Sequence, residues 1–145
     1  MPLTLNQLLF RTFHGKDKML QPIREELGLG RGQPRVLSYL LSYGTSSQSD
    51  IASYLGIDPA AVSRMTEALR KNGFLTRDAD EDCRRTNRLE LTEKGMEAAR
   101  IWTRECQSID EKLLEGFSSS DKEQLRGLLG KLLGNIERSR SYEES

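Results

Sequence analysis

Gly56-Ile57-Asp58-Pro59 is the feature that most narrows what this chain can fold into. Glycine stops a helix by accepting a left-handed backbone. Aspartate caps the orphan amides of the next helix, and proline suits its first turn, where the missing N–H costs nothing. Upstream, Thr45-Ser46-Ser47-Gln48 supplies oxygens for a helix start, with Thr45 and Gln48 at capping-box spacing and Ile51, Ala52 and Leu55 as the apolar face. Downstream, residues 59–72 predict a helix with Val62, Met65, Ala68 and Leu69 inward. Ser63, Arg64, Glu67, Arg70 and Lys71 do not share that face, and Gly73 is suited to a left-handed stop. Ala52, Gly56 and Val62 give the small residue, the sharp bend and the plug that two helices crossing at a short turn require.

After Gly73 the period changes. Phe74-Leu75-Thr76-Arg77 and Arg88-Leu89-Glu90-Leu91 have strand character and flank a charged, polar stretch, which predicts a β-hairpin. Helix, tight turn, helix and hairpin describe a winged helix-turn-helix. The fold class expected is mainly α (α+β), with a two-stranded β-hairpin wing flanked by amino- and carboxy-terminal helices.

Before this block, Leu5, Leu8, Leu9 and Phe13, then Leu20, Ile23 and Leu27, recur at helical spacing, and Pro22 should kink or divide that first helix. Gly28 and Gly30 end it, and Pro34 opens a helix striped by Val36, Leu37, Leu40 and Leu41. Thr92 can cap a helix whose apolar residues, Met96 to Leu114, cover more than one surface. Ser120 and Glu123 have capping-box spacing, and Leu125, Leu128, Leu129, Leu132, Leu133 and Ile136 form a regular seam before a frayed end from Arg138. The boundaries expected are an amino-terminal dimerisation helix over 1–32, the winged domain over 33–94, carboxy-terminal dimerisation helices over 95–140 and a disordered tail over 141–145.

The 145 residues suit one domain with extensions, and 36% hydrophobic against 30% charged residues fits a mostly helical protein with solvated faces. No apolar run approaches a membrane span and no secretory pattern opens the chain, so a cytoplasmic protein without a membrane partner is expected. Cys83 and Cys106 lie in different elements without C-x-x-C spacing, so two free thiols are the default. One histidine, no nucleophile elbow, no phosphate loop and no metal-ligand cluster argue against an enzyme and imply no cofactor. Asp78, Asp80 and Asp82 open like a calcium loop, but Cys83 and Leu89 occupy the positions that need glycine and glutamate.

Zero net charge hides local asymmetry: residues 59–77 carry Arg64, Arg70, Lys71 and Arg77 against Glu67 alone. A major groove about 12 Å wide admits one helix, and small residues at its amino end let the backbone approach. Pro59, Ala60 and Ala61 form such an end. Ser63, Arg64 and Thr66 are then candidates for base edges or phosphates, and Arg70 and Lys71 for the backbone farther along. Gln48, Ser49 and Arg77 extend the candidate DNA-binding set. Arg84 and Arg85 at the hairpin tip suit a minor groove, whereas the acidic run 78–82 should turn away or pair with Arg84, Arg85 or Arg88. The alternative is a winged-helix module that uses these faces to bind protein, without useful DNA affinity.

Residues 28–95 resemble the MarR (multiple-antibiotic-resistance regulator) family of transcription factors. The resemblance rests on Gly28-Leu29, Gln33-Pro34-Arg35-Val36-Leu37, Gln48-Ser49-Asp50-Ile51-Ala52, Val62-Ser63-Arg64-Met65, Leu69-Arg70-Lys71-Asn72-Gly73-Phe74-Leu75 and Arg84-Arg85 before Leu91-Thr92-Glu93-Lys94-Gly95. It implies a homodimer built from the terminal helices, two recognition helices on a roughly palindromic double-stranded operator, and repression relieved by a small-molecule effector or oxidant. Candidates for an effector cavity under the first helix are Arg11, His14, Tyr39 and Tyr43. Two departures stand out: Cys83 replaces a wing aspartate that the family pairs with an arginine, and Pro22 interrupts the first helix.

Overall fold

The computed structural model describes residues 1–79 and 87–144 and divides into two compact units, Met1–Ile109 and Asp110–Ser145. In the first unit, α1 (Leu5–Leu27) and α2 (Gln33–Tyr43) lead into β1 (Ser46–Ser47). Then follow α3 (Gln48–Leu55), α4 (Pro59–Lys71), β2 (Leu75–Ala79), β3 (Asn87–Leu91) and most of α5 (Glu93–Leu113). The second unit holds the end of α5 and α6 (Ser119–Glu144).

The helix-turn-helix forms where the turn signals place it. Gly56 adopts φ 66°, its N–H donates to the Ala52 carbonyl at 3.0 Å, and Asp58 Oδ1 accepts from the Ala60 N–H at 3.2 Å. Val36, Leu37, Ile51, Val62, Leu69 and Leu89 are fully buried together, joining α2, α3, α4 and β3 in one core. Each such side chain contributes about 1.5–3 kcal/mol by leaving water, which fixes the inward face of α4 and so its outward face.

The wing is an antiparallel hairpin with Leu75 opposite Leu91 and Asp78 opposite Arg88. β1 adds a third strand, so the sheet order is β1-β3-β2, with Ser46 opposite Leu89. A two-residue strand of serines has no alternating apolar signal, so only the pairing partner reveals it. Gly95 secures the junction behind the wing: a β-carbon there would collide with the Phe74 carbonyl oxygen. That carbonyl accepts the Thr92 N–H at 3.1 Å, while Thr92 Oγ1 donates to the Gly73 carbonyl and accepts from the Gly95 N–H.

Several local expectations are corrected. Pro22 does not divide α1, which is helical from Leu5 to Leu27. Pro22 and Lys18 are both exposed, so water can satisfy the Lys18 carbonyl that lacks its helical donor. The α3 capping box is Ser47 with Asp50, not Thr45 with Gln48, because Ser46 is drawn into the sheet and the helix start moves inward. Likewise α6 is capped by Ser118 and Asp121, each bonding the other's backbone N–H at 3.0 Å, not by Ser120 and Glu123. Its helix continues to Glu144, where a disordered tail over 141–145 was expected. Ser139 and Ser141 hydroxyls donate to carbonyls one turn back, a pattern that lets serines persist in a helix. No helix among the described residues is long and apolar enough to cross a membrane.

Candidate nucleic-acid interface

The outward face of α4 follows from its buried one. With Val62 and Leu69 at 0% exposure, the 3.6-residue period turns Ser63, Arg64, Arg70 and Lys71 to solvent. Pro59 and Ala60 are exposed and Ala61 is half-buried, so the amino end of the helix is low and open. Ser49 is exposed at the start of α3, and Gln48 beside it is half-buried.

Thr66 is corrected. It is 1% exposed and cannot reach DNA: its hydroxyl donates to the Ser63 carbonyl at 3.1 Å and accepts from Gln48 Nε2 at 3.0 Å. The outward period would carry Thr66 only if the buried stripe were narrow, whereas Val62, Thr66 and Leu69 form one continuous face against the core. Gln48 is thereby occupied as a link between α3 and α4.

Arg70 and Arg77 converge on Glu67. Arg70 Nη2 and Nε lie 2.7 Å and 3.1 Å from the two Glu67 oxygens, and Arg77 Nη1 on β2 lies 3.9 Å from Oε2. The hydrogen-bonded Arg70 guanidinium holds the Glu67 carboxyl below the usual carboxylate range, and the carboxylate in turn raises the Arg70 pKa. Arg84, Arg85 and Cys83 lie outside the described residues, as do Asp80 and Asp82. Asp78, the first residue of the acidic run, faces Arg88 across the hairpin.

A cavity of about 400 Å³ opens between α1, the α1–α2 connection, the start of α2 and α5. Of the four effector candidates His14 lines it, stacked on Phe10 at 5.5 Å. Arg11 is exposed on α1 and is not among the lining residues. Tyr39 and Tyr43 are elsewhere, packed with Tyr54 in a cluster whose ring centroids are 4.8–5.2 Å apart on α2 and α3. Tyr39 and Tyr43, one helical turn apart, share a face of α2 and meet Tyr54 of α3 there. Sequence reasoning missed Asp17, Arg24 and Arg31 in the cavity wall. Asp17 bridges Arg24 and Arg31, each at 2.7 Å, and Arg24 is 7% exposed. The Arg24 hydrogen bond holds the Asp17 carboxyl below its ordinary range, with Arg31 adding to the effect and burial opposing it. Seven residues, two helical turns, separate Asp17 from Arg24, a spacing that was available as a signal.

The family model for the MarR family matches residues 29–86, from the end of α1 into the wing. The HTH-type transcriptional regulator YybA of Bacillus subtilis, itself uncharacterized, is 30% identical over 118 residues, which cover 81% of this chain and 79% of that protein. The chain belongs to the MarR family of DNA-binding transcriptional regulators. The crystal structure of the transcriptional regulator SlyA aligns with a TM-score of 0.80 at 27% identity, covering 90% of this chain and 95% of SlyA. The Staphylococcus aureus MepR–DNA complex shares the fold at a TM-score of 0.86 and 22% identity, covering 92% and 99%. The MarR fold thus spans α1 to α6, and this family and its relatives are transcriptional regulators, not enzymes.

Proposed function

We propose that this MarR-family regulator is a homodimeric repressor that reads a palindromic operator through α4 and is released by a small-molecule effector. The observation that carries the reading is the exposure of Ser63 and Arg64 on a helix whose opposite face is locked into the core. Ser63 and Arg64 read base edges; Ser49 and Lys71 meet phosphates, Arg70 and Arg77 can do so only by leaving Glu67, and the wing arginines Arg84 and Arg85 add groove contacts. Pro59, Ala60 and Ala61 allow the close approach.

Dimerisation is supported by apolar side chains that a lone chain leaves in water. On α1, Leu5, Phe10 and Phe13 are 60–66% exposed, and on α6 Leu128, Leu133 and Ile136 are 55–59% exposed. Patches of this kind on helices mark association surfaces. For the effector, the cavity combines Arg24, Arg31 and Arg35 with Phe13 and Trp102, and Arg35 lies 5.8 Å over the Phe13 ring. Cationic groups beside aromatic walls suit a small organic anion.

The test is titration of duplex DNA against salt, using a random-sequence pool and the region upstream of the gene. Counterion release predicts affinity falling linearly in log–log form, with a slope of about −0.9 per phosphate neutralised. Binding to no duplex at low salt would overturn the reading in favour of a protein-interaction module.

A further inference from the structure

Glu67 stands at the middle of the outward face of α4, one turn after Arg64 and one turn before Arg70. A carboxylate there opposes contact with a polyanion. The fold does not require it: the Glu67–Arg70 pair is i,i+3, with side chains 39% and 44% exposed, a class that adds little stability. What Glu67 does do is occupy the Nε and Nη2 donors of Arg70 with its two oxygens, the fork that a phosphate would take in the same two-point manner. It also draws Arg77 from β2 toward the same carboxylate.

We propose that Glu67 is a specificity-determining residue that restrains sequence-independent DNA binding by holding Arg70 and Arg77 against phosphate capture. The inference rests on the DNA-binding reading above. A complex held by phosphates alone must displace Glu67 to recruit Arg70. A complex seated on its operator is held by the base contacts of Ser63 and Arg64 and can leave Arg70 and Arg77 on Glu67, so it does not pay for that release. The carboxylate thereby widens the gap between operator and bulk DNA.

The experiment measures binding of wild type, Glu67→Gln, Arg70→Ala and the double variant to a random-sequence duplex and to a duplex selected from a random pool by wild type, across salt. Thermal melts verify that each is folded. Glu67→Gln is expected to bind the random duplex about 3- to 10-fold more tightly, with a salt slope steeper by about 1, and to gain less on the selected duplex. In the Arg70→Ala background the gain should fall below about twofold, because the two residues act as one unit. Unchanged or weaker random-duplex binding, an equal gain on both duplexes, or a full gain without Arg70 would each overturn the restraint. Wild type that binds no duplex in a salt-dependent way refutes the DNA-binding reading and the restraint together; wild type that binds while Glu67→Gln changes nothing refutes the restraint alone.

Discussion

Gln48 donates its side-chain amide to the buried hydroxyl of Thr66 at 3.0 Å, tying the first residue of α3 to α4. Thr66 passes a hydrogen bond on to the Ser63 carbonyl, so the outward face of α4 is braced from behind. Thr66→Val keeps the shape and removes both bonds. It should cost about 1–2 kcal/mol in urea unfolding, since each net hydrogen bond contributes about 1 kcal/mol. Folded Thr66→Val protein should keep the sequence preference of wild type; a changed preference would mean that Thr66 touches bases.

Gly95 meets the Phe74 carbonyl with no room for a side chain. Gly95→Ala must push α5 off the turn that starts the wing, at a cost of about 1–3 kcal/mol for overpacking. Chemical denaturation at fixed protein concentration checks the loss. An unchanged midpoint would show that the junction is looser than described.

The Asp17 bridge to Arg24 and Arg31 gives the stability a defined acid dependence. The folded-state pKa of Asp17 lies below its unfolded value of about 3.9, so its contribution is fully present above that pH and disappears as pH falls through the folded value. Asp17→Asn should flatten this part of the acid limb. At neutral pH it should cost about 1–3 kcal/mol, because Arg24 would stay buried without its carboxylate. Melts between pH 2 and 7 test the sign: a variant with the wild-type acid limb would exclude Asp17 as its source.

On α6, Leu129 and Leu133 are 48% and 55% exposed in the single chain. Introducing Asp at both should leave residues 1–109 folded yet shift sedimentation to a monomer and weaken operator binding by about 100-fold or more, since two half-sites then bind independently. A dimer that survives both substitutions would move the interface elsewhere.

The helix-turn-helix was legible because its signals are local: Gly56 for the bend, Asp58-Pro59 for the start, Val62 and Leu69 for the buried stripe. The capping boxes were displaced because serines recur at overlapping spacings, and tertiary pairing chose among them: Ser46 joined β3, which left Ser47 to cap α3. Thr66 was misplaced because a β-branched hydroxyl residue fits either face until its partner, Gln48, is known. Tyr39 and Tyr43 do not line the cavity beside His14 for a related reason, since aromatic residues one helical turn apart show a shared face without showing which element covers it. Arg24 is the reverse case: an arginine in a helix reads as solvated until Asp17, two turns earlier, is seen to compensate its burial.

Base reading by Arg64 from the outward face of α4 is what the proposed function stands on. Selection of bound sequences from a random duplex pool, run in parallel with wild type and Arg64→Ala, tests it most directly. Wild type should enrich a two-fold symmetric site. Arg64→Ala should lose preference at one position in each half-site, with a loss of about 1–3 kcal/mol on the wild-type sequence. If Arg64→Ala enriches the same sequence with the same affinity, α4 does not read DNA through this face.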